Sequence, residues 1–429
     1  MRILFVFPGL SQRLSVSAQV MNSIMAPVPL TFDILASLTP PDHTVDYVDD
    51  HVQPIPYESN YDLVGITVYT RSANRAYQIA DEFTKRKITV VLGGWHASAL
   101  PQEAKQHADA VVIGEAEETW PQLLKDFTQG SLKPFYQAER VVDLMTLPRT
   151  RPLSSKRRLS LGFIQASRGC PYGCEFCSLT NSRFGNIHRV RPVDHVVQEL
   201  RHMPQTFLSF NDNSLTVNVA YTKQLFRAMK QLNKKFYCNG NVDQLRKDDE
   251  LLRLAREAGC IMWHIGFESI SQEAINEIGK RTNKVGDYIE AVKKIHDHGM
   301  VVSGNFMFGF DADTPDIFAS TLEVVRRIDL DVCAAAVITP LPGTPFFKRL
   351  EQQNRILSTD WSRYDLHTTV FQPKHMSPAE LDEGTQQVNR DILSFSFNSR
   401  SILRSLPHGL PATFSTWQRN WALKHIPGW

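Results

Sequence analysis

Neither sign of charge dominates this sequence: 47 Lys and Arg stand against 45 Asp and Glu, a formal net charge of +2. That balance gives no reason to expect nucleic acid as a partner, which a strongly basic surface would announce. Long apolar runs are missing as well. None approaches the roughly 20 residues of a membrane-spanning helix, so no transmembrane segment is expected. Ile3–Phe7 is apolar but stops at Pro8-Gly9, too short for the apolar stretch of a secretion signal. Cysteine is scarce: of 6 in 429 residues, 3 fall between positions 170 and 177. So few cysteines make no disulfide framework, and the pattern fits a reducing, cytoplasmic setting. With 42% apolar and 21% charged residues, the chain has the make-up of a globular protein with room for two or three domains.

The cysteines that are present are concentrated in Cys170-Pro171-Tyr172-Gly173-Cys174-Glu175-Phe176-Cys177, after the apolar run Leu161–Ala166 and Ser167-Arg168-Gly169. Thiolates this close can grip several irons of one iron–sulfur cluster. Pro171 and Gly173 keep the segment out of a regular helix, so the sulfurs can converge. A structural zinc site wants four protein ligands, and the fourth is absent. Three ordinary loop thiols, or one disulfide beside a free cysteine, remain the alternative reading. Cys238, Cys260 and Cys333 are dispersed among apolar or small neighbours and read as core thiols.

Around this segment, strand-like and helix-like runs alternate. Ile3–Phe7, Thr44–Val48, Leu63–Tyr69, Thr89–Leu92 and Ala110–Ile113 read as strands. Leu30–Leu38, Ser72–Lys87, Pro101–His107 and Glu117–Phe127 have helical periodicity. That order predicts an α/β, doubly wound, Rossmann-like parallel sheet over residues 1–130, with ligands at the carboxyl ends of its strands. Gly93, Gly94 and Gly114 fall at those ends, where glycine serves either a plain turn or the close approach of a bulky ligand. Residues 131–160 read as a linker, and the basic run Ser154–Arg158 as solvated. Over 161–349, strands beginning near Leu161, Leu208, Phe236, Ile261, Val301 and Cys333 predict a partial (β/α)6 barrel. Asn211, Asp212, Asn213 and Glu268 are polar groups at its strand ends. Residues 350–429 form an extension expected to be helical and to cap the barrel mouth.

Cys-x-x-x-Cys-x-aromatic-Cys behind a strand resembles the signature of the radical S-adenosylmethionine (SAM) superfamily. The resemblance implies that Cys170, Cys174 and Cys177 hold a 4Fe-4S cluster whose open iron takes the amino and carboxylate groups of SAM. The reduced cluster then splits SAM into methionine and a 5′-deoxyadenosyl radical, which takes hydrogen from an unactivated carbon. It implies further that Asn211, Asp212 and Asn213 lie near the methionyl part of SAM and that Glu268, in Gly266-Phe267-Glu268-Ser269, positions it.

Val90–Ala97 with Leu100–Ala104, and Ala108–Trp120, resemble the cobalamin-binding domain ahead of many radical SAM cores, which puts Gly93, Gly94 and Gly114 at cobalamin. The Asp-x-His-x-x-Gly that supplies a cobalt ligand in many such domains is missing. Asp49-Asp50-His51 is read as a surface turn and His96 as a loop or supporting residue, so cobalamin is expected to bind without histidine on cobalt. Met307–Pro315, Pro340–Pro345, Trp361–Asp365 and Val370–Pro378 resemble the cobalamin-dependent (class B) branch and a subgroup that includes hopanoid methylases. The implied activity is methylation of an unactivated carbon of a small-molecule or lipid-like substrate, with flavodoxin or ferredoxin as electron donor. The alternatives are a non-methylating relative that carries out cyclisation, rearrangement or other bond formation, and a cobalamin or cluster sensor. Tyr364, His367 and His375 are candidates to line the substrate pocket but are read as structural. The aromatic end Phe414–Trp429 is either a docking surface or helix packing.

Overall fold

A computed structural model describes residues 1–10, 29–148, 153 and 161–425. The basic runs at 149–152 and 154–158, and the last four residues of the aromatic end, lie outside the described residues. Two six-stranded parallel sheets carry the chain. The first contains β1 (Arg2–Phe7), β2 (Thr44–Asp49), β3 (Leu63–Thr67), β4 (Thr89–Gly93), β5 (Ala110–Ile113) and β6 (Phe135–Gln137), in the order β2-β1-β3-β4-β5-β6. The expected connector 131–160 therefore begins with a strand: β6 pairs with β5 and extends the sheet to Gln137. Its three residues are too few for a periodic signal.

Helices cover both faces of this sheet, which is why its strands read as continuous apolar runs. Along β1, Ile3 and Phe5 enter one core with Phe32 and Trp120, while Leu4 and Val6 enter the other with Ile79 and Phe83. Phe5 and Phe32 stack at 5.0 Å, fixing the helix Leu30–Leu38 on its strand. Since β1 pairs with β2 on one side and β3 on the other, the sheet has a switch point beside β1.

A two-stranded antiparallel ribbon, β8 (Ser167–Arg168) and β9 (Arg189–Val190), brackets the cysteine segment. The second sheet keeps chain order: β7 (Gly162–Ile164), β10 (Phe207–Phe210), β11 (Lys235–Asn239), β12 (Cys260–Glu268), β13 (Val301–Phe308) and β14 (Val332–Val337). Among the described residues β7 and β14 do not pair, so the barrel is open. Alternate residues of its strands, such as Trp263, Ile265 and Phe267 of β12, pack into one large core under the outer helices. Each such side chain contributes roughly 1.5–3 kcal/mol by burial. Cys238, Cys260 and Cys333 are buried in that core, as their apolar neighbours predict.

The extension is helical over Pro378–Ile392, Phe395–Ser405 and Leu410–His425. It does not simply cap the mouth. The last helix packs Ala412 and Leu423 against Ile261, Met262, Val301 and Val332, at the amino ends of β12, β13 and β14, and so forms the barrel floor. The stretch around 356–371 reaches the carboxyl side, where Val337 N–H donates to Leu366 O at 2.8 Å, and Leu381 packs beside Gly309 there. Among the described residues no helix is long and apolar enough to cross a membrane.

Candidate active site

The cysteine segment is held by backbone bonds from several directions. Cys170 N–H donates to Gly185 O at 2.8 Å, and Thr180 Oγ1 to Cys170 O at 2.7 Å. Asn181 Nδ2 spans Cys174 O at 2.9 Å and Cys177 O at 2.8 Å. Burial raises the thiol of Cys170, and burial pushes that of Cys174 up to about 11 against the opposing pull of Lys280. The three thiols feel one another's charge. Among the described residues no three His, Cys, Asp or Glu side chains close on a point that would hold a single ion. A cluster with one cysteine per iron sets its sulfurs farther apart, and this donor set of three thiols, one buried and two half-buried, fits that group. Loading it displaces the thiol protons.

Asp212 departs from its expected place. Its carboxylate is buried and accepts from Ala166 N at 3.0 Å, from Ser167 Oγ at 2.6 Å and from Ser167 N. It faces back into the barrel and ties the end of β10 to the end of β7, which leads directly into the cysteine segment. Asn211 and Asn213, on either side of it, are exposed and face outward. Alternation along an extended strand end produces this split.

Glu268 lies where β12 slips register against β13 between Gly266 and Glu268, and its φ of 65° is left-handed. Asn283 and Tyr288 hold this bend. Asn283 Nδ2 donates to Gly266 O at 2.9 Å and Phe267 O at 3.0 Å, and Tyr288 OH donates to Phe267 O at 2.8 Å. The Glu268 carboxylate forms a short ion pair with Lys280, a residue sequence reasoning missed. Burial pulls the Lys280 ammonium down, yet Glu268, Cys174 and Cys177 outweigh it and hold its pKa above the ordinary value. A lysine twelve residues past the strand end has no motif to betray it.

A cavity of about 590 Å³ lies between the two sheets' carboxyl ends. One wall carries Gly93, Gly94, Ser98 and Gly114, and the other Arg168, Asn211 and Asn213. The three cysteines and Glu268 stand behind this wall rather than on it; Gly169 and Ser178 of the cysteine segment line the cavity. The glycines differ in what they do. A Cβ on Gly94, at φ +95°, would lie 2.8 Å from Thr67 Oγ1 and 2.9 Å from Val68 N, so this glycine serves the turn against β3 rather than contact with a ligand. A Cβ on Gly114, at φ +82°, meets nothing within 4 Å and points into open space, and Ser98 Oγ accepts its N–H at 2.9 Å. Gly93 would meet only Val112 at 3.7 Å, an ordinary contact. An open wall over a strand-end cleft fits a large flat cofactor such as cobalamin.

Neither candidate histidine reaches this cavity. His96 is buried between Thr70 Oγ1 at 3.3 Å and Glu103 Oε1 at 3.2 Å, with Trp361 against its ring at 5.0 Å. Burial holds it below its ordinary pKa despite Glu103. His51 bonds Asp49 at 2.8 Å beside β2. Tyr364 is buried with its hydroxyl on Ser358 O at 2.7 Å, whereas His367 and His375 are exposed.

Four charged residues fasten the halves together. Arg189 grips Glu115 with both nitrogens, at 2.7 and 2.8 Å, and Arg168 holds Glu117 at 2.5 Å. Burial raises the Glu115 carboxylate, but Arg189 and Arg168 outweigh it and hold it below the usual range. Both arginines belong to the ribbon around the cysteine segment and both glutamates follow β5 and Gly114. Trp361 Nε1, donating to Glu103 at 3.0 Å, makes a second tie from the extension.

Residues 164–325 match the model of the radical SAM superfamily and residues 31–124 that of the B12 binding domain. The chain is 30% identical over 399 residues to the bacteriochlorophyllide d C-12(1)-methyltransferase of Chlorobaculum tepidum, covering 89% of this chain and 86% of that one. It is 24% identical to the hopanoid C-2 methylase of Rhodopseudomonas palustris, covering 84% of this chain and 72% of that protein. Among solved structures, the radical SAM methyltransferase TsrM of Kitasatospora setae, with cobalamin and a [4Fe-4S] cluster bound, superimposes with a TM-score of 0.71 at 15% identity, covering 99% of this chain and 98% of that one.

Proposed function

This chain belongs to the cobalamin-dependent radical SAM family, and from that premise we propose that it methylates an unactivated carbon of a polycyclic, lipid-like small molecule. It is a methyltransferase whose cofactors are a 4Fe-4S cluster, SAM and cobalamin. When bound, SAM and the cluster supply hydrogen abstraction, and cobalamin supplies the methyl group. The observation that carries the proposal is the cavity walled by Gly94, Ser98 and Gly114 on one side and by Arg168, Asn211 and Asn213 on the other. The substrate carbon can then meet both cofactors without leaving the cleft.

The chain's own residues do the positioning. Cys170, Cys174 and Cys177 would hold the cluster, and Lys280 offsets the thiolates' charge from behind. Glu268 would accept from the amino group of SAM, while Asn211 and Asn213 would donate and accept at its methionyl end. Asp212 orients the strand on which they sit. Arg168 and Arg189 hold the Gly114 wall at fixed height over the cysteine segment and help exclude water. A small reductant such as flavodoxin or ferredoxin would supply electrons in a reducing cytoplasm. Support for a fused-ring substrate comes from the two relatives named for bacteriochlorophyllide and hopanoid.

The test is anaerobic incubation of reconstituted protein with reductant, methyl-deuterated SAM and lipid extract from a strain lacking the gene. The proposal expects 5′-deoxyadenosine together with one fused-ring product that gains deuterated methyl. Deoxyadenosine with a cyclised but unmethylated product would favour the alternative chemistry, and no deoxyadenosine at all would favour a sensor.

A further inference from the structure

The last two helices present their apolar residues to the wrong side. In Leu410–His425 the face turned to the barrel carries Ala412, Ser415, Thr416 and Asn420, all buried. The outward face carries Leu410, Phe414 and Trp417, which are 80%, 48% and 44% exposed. Their spacing of four and three residues puts them on one stripe. Leu403 and Leu406, 64% and 49% exposed, prolong it, and Phe207 of the barrel joins through Phe414 at 6.5 Å between rings. A helix that serves only to close a floor keeps its large apolar residues inward and its polar ones in water. This one keeps Ala412 and Leu423 inward yet also turns Leu410, Phe414 and Trp417 into solvent, and an exposed apolar patch of this kind marks a contact surface.

Charge says what kind of surface it meets. The whole chain is nearly neutral, yet no Asp or Glu occurs from Leu393 to the end, while Arg400, Arg404, Arg419 and Lys424 do. Arg404 is taken by Asp329, and Arg419 is half-buried against His264 and Tyr237. Arg400 and Lys424 are exposed. Two further cations sit beside the stripe on carbonyl oxygens. Lys234 Nζ donates to Gln205 O at 2.8 Å next to Phe207, and Arg256 Nη2 to His408 O at 3.3 Å. Among the described residues none of these last four has a carboxylate partner. A second copy of the chain docking by the same face would bring these cations toward one another, while Asp329 is already taken by Arg404. Leu, Phe and Trp on a stripe edged with Lys and Arg match the interface of an anionic bilayer.

We propose that the barrel floor, through Leu403, Leu406, Leu410, Phe414 and Trp417, docks on an anionic phospholipid surface as a peripheral contact. The carboxyl-end cleft then faces away from the bilayer, open to reductant. The reading stands apart from the substrate assignment, since it uses none of the cleft's residues.

The test is flotation of the full-length reconstituted protein with phosphatidylglycerol–phosphatidylcholine vesicles and with phosphatidylcholine alone. The anionic vesicles should carry at least about 10-fold more protein, falling severalfold in high salt as screening shortens the electrostatic reach. Leu410→Ser alone, and Phe414→Ser with Trp417→Ser, should each cut binding about 5-fold or more through lost apolar burial, with circular dichroism unchanged. Leu357→Ser, exposed elsewhere, should bind as the wild type does. The single Leu410 change keeps the test readable if the double variant fails to fold. Equal binding to both vesicle types, or a dimer in sedimentation that the same substitutions dissolve, would overturn the proposal.

Discussion

Lys280 shows how much one buried charge settles at this site. Its ammonium stands between the Glu268 carboxylate and the thiols of Cys174 and Cys177. Lys280→Met should leave Glu268 buried and unpaired and remove a positive charge from beside the cluster. We expect cluster loading to persist, its midpoint potential to move to more negative values, and SAM cleavage to fall about 10–100-fold, as for other supporting residues of metal sites. A redox titration followed by electron paramagnetic resonance measures the first effect independently of turnover. An unchanged potential would show the ammonium to be a partner of Glu268 alone. The two strand-end glycines make a paired prediction. Gly94→Val should destabilise the first sheet, because its Cβ collides with Thr67 and the Val68 backbone. Gly114→Val, at a strained φ but in open space, should cost about 1–2 kcal/mol and mainly weaken cobalamin binding. Thermal melts of the apo protein and cobalamin titrations separate the two outcomes.

At the scale of elements, nearly every strand was legible, because runs buried on both faces leave an unbroken apolar signal. The helices Leu30–Leu38 and Ala73–Lys85 could be read from the spacing of their buried residues. What escaped were features decided by partners remote in sequence: the three-residue β6, the two-residue strands of the ribbon β8–β9, the slip in β12 that turns Glu268, and the inward Asp212. The cysteines were legible because their spacing is itself the chemistry; the ion pair of Lys280 with Glu268 depends on a bend no local pattern encodes. Asp212→Ala should uncouple β7 from β10 and leave Ala166 N and Ser167 N without their acceptor. We expect the protein to fold yet load less than half the wild-type iron, measured against sulfide, whereas Asp212→Asn keeps most of it. A second buried carboxylate gives a pH dependence. Asp313 accepts from Gly309 N at 2.9 Å and Phe310 N at 3.1 Å through one oxygen, while its other oxygen has no partner among the described residues. Burial pushes its pKa up to about 7 against those two bonds. A raised folded pKa means that its stabilising contribution is full below the ordinary value of 3.8 and is lost as pH rises through 7. Asp313→Asn should remove that slope, so the variant's melting temperature should gain on the wild type between pH 5 and pH 8. The effect is on the order of a few kcal/mol, one pKa unit being worth about 1.4 kcal/mol.

For the whole molecule, the decisive contact is the one between halves. Arg189 and Arg168 on the ribbon grip Glu115 and Glu117 beside Gly114, so the height of the cleft is set by four side chains. Arg189→Met leaves the largely buried Glu115 carboxylate with Arg168 alone, at 3.6 Å, a loss that stays below the about 3–5 kcal/mol of a buried pair broken outright. We expect cluster content and 5′-deoxyadenosine formation to survive, because the barrel retains its own core. Methylated product should fall about 10-fold or more, since near-attack geometry across the cleft is lost. A variant with an unaltered ratio of the two products would mean that the halves are aligned by Trp361 and Glu103 instead.

The barrel floor has a bearing on how the chain matures. Ile261, Met262, Val301 and Val332 stay uncovered until Ala412 and Leu423 have been made and have folded back beneath them. During synthesis the first sheet can close on its own residues, while the second must wait with an apolar inner surface open to the solvent. Ribosome-bound chains halted before Leu410 should therefore carry a protease-resistant amino-terminal half and a barrel that chaperones still recognise.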